Sequence, residues 1–167
     1  MRQIKGLNKT LKDLQNASKE VLEEVAIETE IFVKNCVVDA KVLAPVDNGK
    51  LKQNINGEII DDFHYLFVAR EKYSPFIEFG TGTKVDVPAE WQSIANEAKG
   101  KSWGSFDEGL ENIKLWCKRK GIDEKAAYPI FLKILKVGIN PQPFMYPAFI
   151  KNRGQYIKNL KKLVKRK

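Results

Sequence analysis

Glu78 is the only charged residue in an aromatic stretch, residues 73–79 (YSPFIEF). A carboxylate in such a setting can act as a catalytic acid. The use expected here is structural, as an acceptor for nearby loop N–H groups. His64 follows Asp61 and Asp62 and precedes Tyr65. A His–Asp dyad is conceivable, but the stretch reads as a hairpin turn whose polar residues face water. A two-metal nuclease needs several converging carboxylates. Glu58, Asp61, Asp62 and Glu78 lie at a turn and a loop, with nothing in the sequence to bring them together.

The two cysteines, Cys36 and Cys117, sit in separate apolar-periodic segments and form no CxxC or Cys/His ligand set. They are expected as buried free thiols, with no zinc site. Two glycine-containing stretches were compared with phosphate-binding loops. Residues 44–51 (APVDNGKL) carry Ala44 where a P-loop needs Gly, and Leu51 where it needs Ser or Thr. Residues 79–84 (FGTGTK) offer a GxG, but Val85 takes the place of the third glycine. Both are expected as turns that need positive φ. No cofactor and no enzymatic activity are expected.

The elements that hold these residues follow from periodicity. Leu7, Leu11, Leu14, Ser18, Val21, Val25, Thr29, Phe32, Cys36, Ala40 and Leu43 recur at intervals of three and four, predicting an amphipathic helix. Thr10 with Asp13 resembles a capping box. From Leu11 to Leu43 the helix would measure roughly 50 Å, against a radius of gyration of about 15 Å for a chain this size. It must either break, near Asn16 and Ser18, or project beyond its own core and seek a covering neighbour. Pro45 stops it. Residues 51–60 and 64–70 read as the strands of an antiparallel hairpin. Residues 73–79 read as a short helix ended by Gly80.

Residues 88–137 read as a helical insertion. One helix is marked by Trp91, Ile94, Ala95 and Ala98. A loop containing Trp103 and Phe106 separates it from a second, marked by Leu110, Ile113, Trp116 and Cys117. The KRKG at residues 118–121 suits a helix C-terminus without any ligand. A third helix covers residues 123–137, with Pro129 opening or kinking it. Pro141, Pro143 and Pro147 then impose a stiff, extended arm with Phe144 and Met145 as apolar anchors, and Pro147 is placed in the first turn of a final helix.

The chain has 167 residues, is 43% hydrophobic and 30% charged, and carries a formal net charge of +8. This is one globular domain by length and balance: a core of about residues 10–87 and 138–157, the insertion, and a basic tail, residues 158–167. The 29 lysines and arginines oppose 21 aspartates and glutamates. The last 17 residues hold eight of those bases and no acid, so the remainder is neutral. The basicity belongs to a helix end rather than to a folded face. No apolar run is long enough to span a membrane, and no secretory leader opens the sequence.

Three stretches taken in order carry a resemblance: residues 44–55 (APVDNGKLKQNI), 73–84 (YSPFIEFGTGTK) and 140–149 (NPQPFMYPAF). Together they resemble the tail-completion or head–tail joining (neck) family of long, non-contractile-tailed bacteriophages and prophages. Its members typically read A-P-x-D-T-G-x-L, then Y-A-x-x-V-E-F-G-T, then P-Q-P-F-x-x-P-A. Asn48 stands where Thr is common, and Ser74 where Ala is common. The similarity spans from about residue 10 to the C-terminus. It implies an α+β fold, with a long N-terminal helix packed on a small antiparallel sheet, an inserted helical subregion and a basic C-terminal helix. It also implies a structural protein of the virion neck, made in the bacterial host cytoplasm. Such a protein forms a ring, hexameric by the resemblance, and meets tail-tube and head-connector proteins.

On this reading the candidates for subunit or partner contact are Asp47, Gly49, Leu51, Glu78, Phe79, Gly80, Thr81, Gly82, Pro141, Pro143, Phe144 and Pro147, together with the projecting face of the first helix. Phe144→Ala is expected to lower assembly more than monomer folding; equal losses in both would favour the alternative, in which residues 141–147 (PQPFMYP) only cover the subunit's own core. Lys158, Lys161, Lys162, Lys165, Arg166 and Lys167 are candidates for contact with channel DNA or an acidic partner. The competing reading is a nucleic-acid-binding module acting through the C-terminal helix.

Overall fold

A computed structural model describes residues 7–61, 64–81, 89–98 and 104–165. The fold is α+β. Helix α1 (Leu7–Leu43) is followed by α2 (Lys50–Gln53), strands β1 (Ile55–Asp61) and β2 (His64–Ala69), and α3 (Ser74–Phe79). A 3₁₀ turn at Ala89–Trp91 leads into α4 (Gln92–Ala98). Then come α5 (Phe106–Lys120), a second 3₁₀ turn at Glu124–Ala126, α6 (Ala127–Val137) and α7 (Met145–Lys165).

Helix α1 does not break at Asn16 or Ser18. It is continuous over 37 residues, about 55 Å at 1.5 Å per residue. Thr10 and Asp13 lie inside it and do not form its cap. Its face bearing Val33, Cys36 and Ala40 is buried, as the three-and-four spacing of the predicted stripe requires. Leu43, the last residue of that stripe, is exposed.

The predicted strand over residues 51–60 begins later than expected. Residues 50–53 form a single helical turn entered through Gly49 at φ 80°, so the strand starts at Ile55. The turn is built that way because it delivers Leu51 into the core beside Ile55. β1 and β2 pair antiparallel, with Ile55 opposite Ala69, Gly57 opposite Phe67 and Ile59 opposite Tyr65. That face lies on α1. A Cβ on Gly57 would stand 2.6 Å from Val33 Cγ1, and Tyr65 Oη donates to the Ala26 carbonyl at 3.0 Å.

α7 runs antiparallel to α1 along a seam that alternates stacking and hydrogen bonds. Phe32 stacks on Tyr156 with ring centroids 4.5 Å apart, and Phe149 meets Phe32 edge-on at 5.6 Å. The Thr29 and Tyr156 hydroxyls are 2.9 Å apart. Asn159 donates to Glu28, while Lys151 and Asn152 both donate to Asp39. The core is the set Ala40, Ala44, Leu51, Ile55, Phe144 and Ala148, where α1, α2, β1 and α7 meet.

The insertion folds as expected in outline, with one correction. α5 begins at Phe106, not near Leu110. Ser105 caps it, its hydroxyl accepting from Glu108 N–H while the Glu108 carboxylate accepts from Ser105 N–H. Phe106, expected in a loop, packs edge-on against Phe131 of α6 at 5.0 Å. Gly121 ends α5 in the left-handed conformation. Pro129 falls in the first turn of α6, where its missing N–H costs nothing.

Candidate functional site

The three stretches that carry the family resemblance converge on one structural node. α3 ends at Phe79 and delivers Glu78, a buried carboxylate, to the start of α7. Glu78 Oε2 accepts from the N–H groups of Phe144 at 2.7 Å and Met145 at 2.9 Å, and Oε1 accepts from Tyr146 N–H at 2.9 Å. A helix start leaves four backbone donors without intrahelical partners. Here one carboxylate takes three of them, and the fourth position is Pro147, which has no N–H to satisfy. The negative charge also sits at the positive end of the helix dipole. Glu78 therefore has the acceptor role expected of it, and its acceptors are occupied by backbone.

The arm at residues 138–143 lies along the segment on both sides of Glu78. Gln142 N–H donates to the Ile77 carbonyl at 2.8 Å, and Thr81 N–H to the Ile139 carbonyl at 3.0 Å. Ile139 N–H donates to Thr81 Oγ1 at 2.8 Å. Gly80 permits this approach. At φ 73° it occupies a region that side chains disfavour, and a Cβ there would stand 2.7 Å from the Ile139 carbonyl oxygen and 3.0 Å from Pro141.

This arrangement corrects the role expected of several residues. Phe144 is 0% exposed and fills its own subunit's core, so it is not an anchor offered to a neighbour. Leu51, Glu78, Phe79 and Gly80 are likewise buried within the subunit. The proline-rich arm is extended, yet it is hydrogen-bonded to its own chain. Pro147 is the third residue of α7, in its first turn as expected. Gly49 and Gly80 have the positive φ expected of turns; Gly82 lies outside the described residues. Asp47 makes a bidentate pair with Arg119 of α5, with contacts of 3.1 and 2.6 Å to one carboxylate oxygen. That bond pushes the Arg119 guanidinium pKa further up. With Lys120 Nζ donating to the Val46 carbonyl, it fastens the insertion to the loop after α1.

Among the described residues, the other carboxylates and the histidine expected near the hairpin do not converge. His64 Nδ1 is 3.9 Å from Asp61 in an exposed pair. Glu58 is paired with Arg70, and Asp62 lies outside the described residues. Among the described residues, no group of three His, Cys, Asp or Glu side chains is placed to hold a metal ion. Cys36 and Cys117 are free and buried. Burial, helped by the nearby Asp39 charge, raises the Cys36 thiol to about 11, leaving it protonated at neutral pH. Among the described residues no helix is long and apolar enough to cross a membrane.

Two surfaces were less visible in the sequence. The first is a second apolar face on α1: Ile27, Ile31, Val38 and Val42 are exposed, the last two by 61% and 73%. Their spacing of i, i+4, i+11 and i+15 places them along one side of the helix, away from Val33, Cys36 and Ala40. The signal was present, since these positions also repeat at helical spacing. The stripe of Val25, Thr29, Phe32 and Cys36 beside them took the reading. The second is the outer side of α7, where Lys158, Lys161, Lys162 and Lys165 are exposed beside Ile150 and Ile157; Arg166 and Lys167 lie outside the described residues. Compared with known protein families, curated proteins and solved structures, the chain matches none.

Proposed function

We propose that this chain is a structural assembly subunit that forms a closed ring, and that the ring belongs to the neck of a long-tailed phage or prophage. There it completes the tail or joins it to the head. One observation supports assembly above the others: α1 is apolar on two sides. One side covers the core, and the other, Ile27, Ile31, Val38 and Val42, is left in water by a solitary subunit. Exposed apolar side chains grouped on one helix side can mark a protein contact site. The neck assignment rests on the three stretches described above. Two of them meet at Glu78, and the first supplies Ala44, Leu51 and Ile55 to the core that Phe144 fills. In this reading the chain acts on no substrate, and its partners are copies of itself, tail-tube proteins and head-connector proteins. It is made in the host cytoplasm and resides in the virion.

The test is to delete the protein during infection or prophage induction and image the lysate. Separate filled capsids and finished or overlong tails are expected. Intact infectious particles contradict the proposal.

Nucleic-acid binding through α7 is the second reading, favoured by its exposed lysines. Against it, α7 lies beside a stretch of α1, residues 19–30, that carries five glutamates and one lysine. A basic strip flanked by acids is a poor polyanion surface. Tight duplex binding that falls steeply with salt would favour this second reading.

A further inference from the structure

The ring reading leaves open which surfaces meet, and on that reading we infer that the outer face of α1 in one copy docks on the outer face of α7 in the next. The two faces differ in composition in a complementary way. On α1, Ile27 and Ile31 continue into exposed Glu20, Glu23 and Glu24. On α7, Ile150 and Ile157, 39% and 37% exposed, lie among exposed Arg153, Lys158, Lys161 and Lys165. Residues 150–165 carry six bases and no acid. The α7 strip is thus bordered by bases, and the α1 strip by glutamates on its N-terminal side, with Lys34 beyond Ile31; over the N-terminal part of α1 the signs are opposite.

Within the subunit the two helices already meet through other residues. Phe32, Thr29, Glu28 and Asp39 of α1 face Phe149, Tyr156, Asn159 and Asn152 of α7. Ile27 and Ile31 on one helix, and Ile150 and Ile157 on the other, lie away from that seam. A contact between unlike faces is heterologous, the type whose repetition closes a ring. A two-fold contact of α1 on α1 would instead bring glutamates against glutamates, and α7 on α7 would bring lysines against lysines.

Gly154 adds an independent observation. It lies in mid-helix between Ile150 and Ile157, where Gly is the weakest helix former after Pro. Nothing among the described residues of its own subunit asks for it. Its φ is not positive, and a Cβ built there meets no atom within 4 Å. A helix approaching closely from outside would ask for it, since the absent side chain leaves a notch between two isoleucines.

Two charge-reversed variants test the contact by sedimentation velocity of the full chain. One carries Glu20→Lys, Glu23→Lys and Glu24→Lys; the other carries Lys158→Glu, Lys161→Glu and Lys165→Glu. Each alone is expected to shift the ring to monomer at concentrations where wild type is fully assembled, with unchanged circular dichroism. Mixing them, or combining all six substitutions in one chain, is expected to restore a ring. Gly154→Gln guards against a variant that merely misfolds: it should raise the monomer's melting temperature while weakening assembly at least tenfold. A wild-type ring that persists through both reversals and through Gly154→Gln overturns this contact and leaves self-assembly standing. A wild type that stays monomeric at every concentration overturns both.

Discussion

The node around Glu78 and the outer faces of α1 and α7 are opposites. At the node the Glu78 carboxylate is engaged by backbone donors, and Glu78, Phe79 and Phe144 are buried. Three backbone donors share one carboxylate, Phe144 has no exposed surface, and Gly80 sits under a carbonyl that a methyl group would strike. On the outer faces, apolar side chains stand in water at helical spacing, with charge beside them. The conspicuous residues of the sequence, those in the proline and glycine motifs, hold the subunit together. The surfaces suited to hold subunits to one another are built from ordinary Ile, Val, Glu and Lys.

Breaking the node should therefore damage the monomer. Phe144→Ala empties a fully buried aromatic site and is expected to cost about 4 kcal/mol, read as a lowered midpoint in urea unfolding. Loss of assembly with monomer stability intact would return Phe144 to an interface role. Glu78→Ala leaves three N–H groups at the start of α7 without their acceptor and should cost about 3 kcal/mol. Faster amide exchange at Phe144, Met145 and Tyr146 is the local signature. Gly80→Ala combines a disfavoured φ with a 2.7 Å approach to the Ile139 oxygen, and about 2 kcal/mol of destabilisation is expected. A neutral result there would mean that the arm moves aside easily.

A smaller effect sharpens the boundary between the regions, because Asp39 lies at the rim of the α1–α7 seam. Hydrogen bonds from Lys151 and Asn152 lower its pKa below the ordinary 3.8. A depressed carboxylate contributes stability that is present above the unfolded value and fades as pH falls through the folded one. Thermal melts of wild type and Asp39→Asn should thus differ at pH 7, by an amount within the usual surface-pair range of about 0–1 kcal/mol, and converge as acid protonates the folded-state carboxylate. A gap that widens on acidification would contradict this assignment.

Much of the fold could be read from the sequence because periodicity reports burial. The core stripe of α1, the hairpin, the insertion helices and Glu78 as an acceptor all followed from spacing or composition. What was missed has physical reasons. The strand was expected from Leu51, but the positive φ at Gly49 and the burial of Leu51 go with a helical turn over residues 50–53 (KLKQ). The Ser105–Glu108 capping box was legible as S-x-x-E, whereas Thr10–Asp13 resembled the pattern inside the first two turns of α1. Phe144 and the prolines suggested reach because stiffness is visible in a sequence, but the direction in which a stiff segment points is set by tertiary contacts. The second apolar face of α1 was masked by the first, since a helix apolar on two sides satisfies the spacing rule twice.

The most direct measurement is the mass of the purified chain across a concentration series, by sedimentation velocity, beside an Ile31→Glu, Val38→Glu variant. Both positions are exposed in the subunit, so the variant should melt within about 0.5 kcal/mol of wild type. Wild type should form one closed oligomer of fixed size, and the variant should remain monomeric. If both chains sediment alike, whether as monomers or as the same oligomer, the outer face of α1 is not an assembly surface.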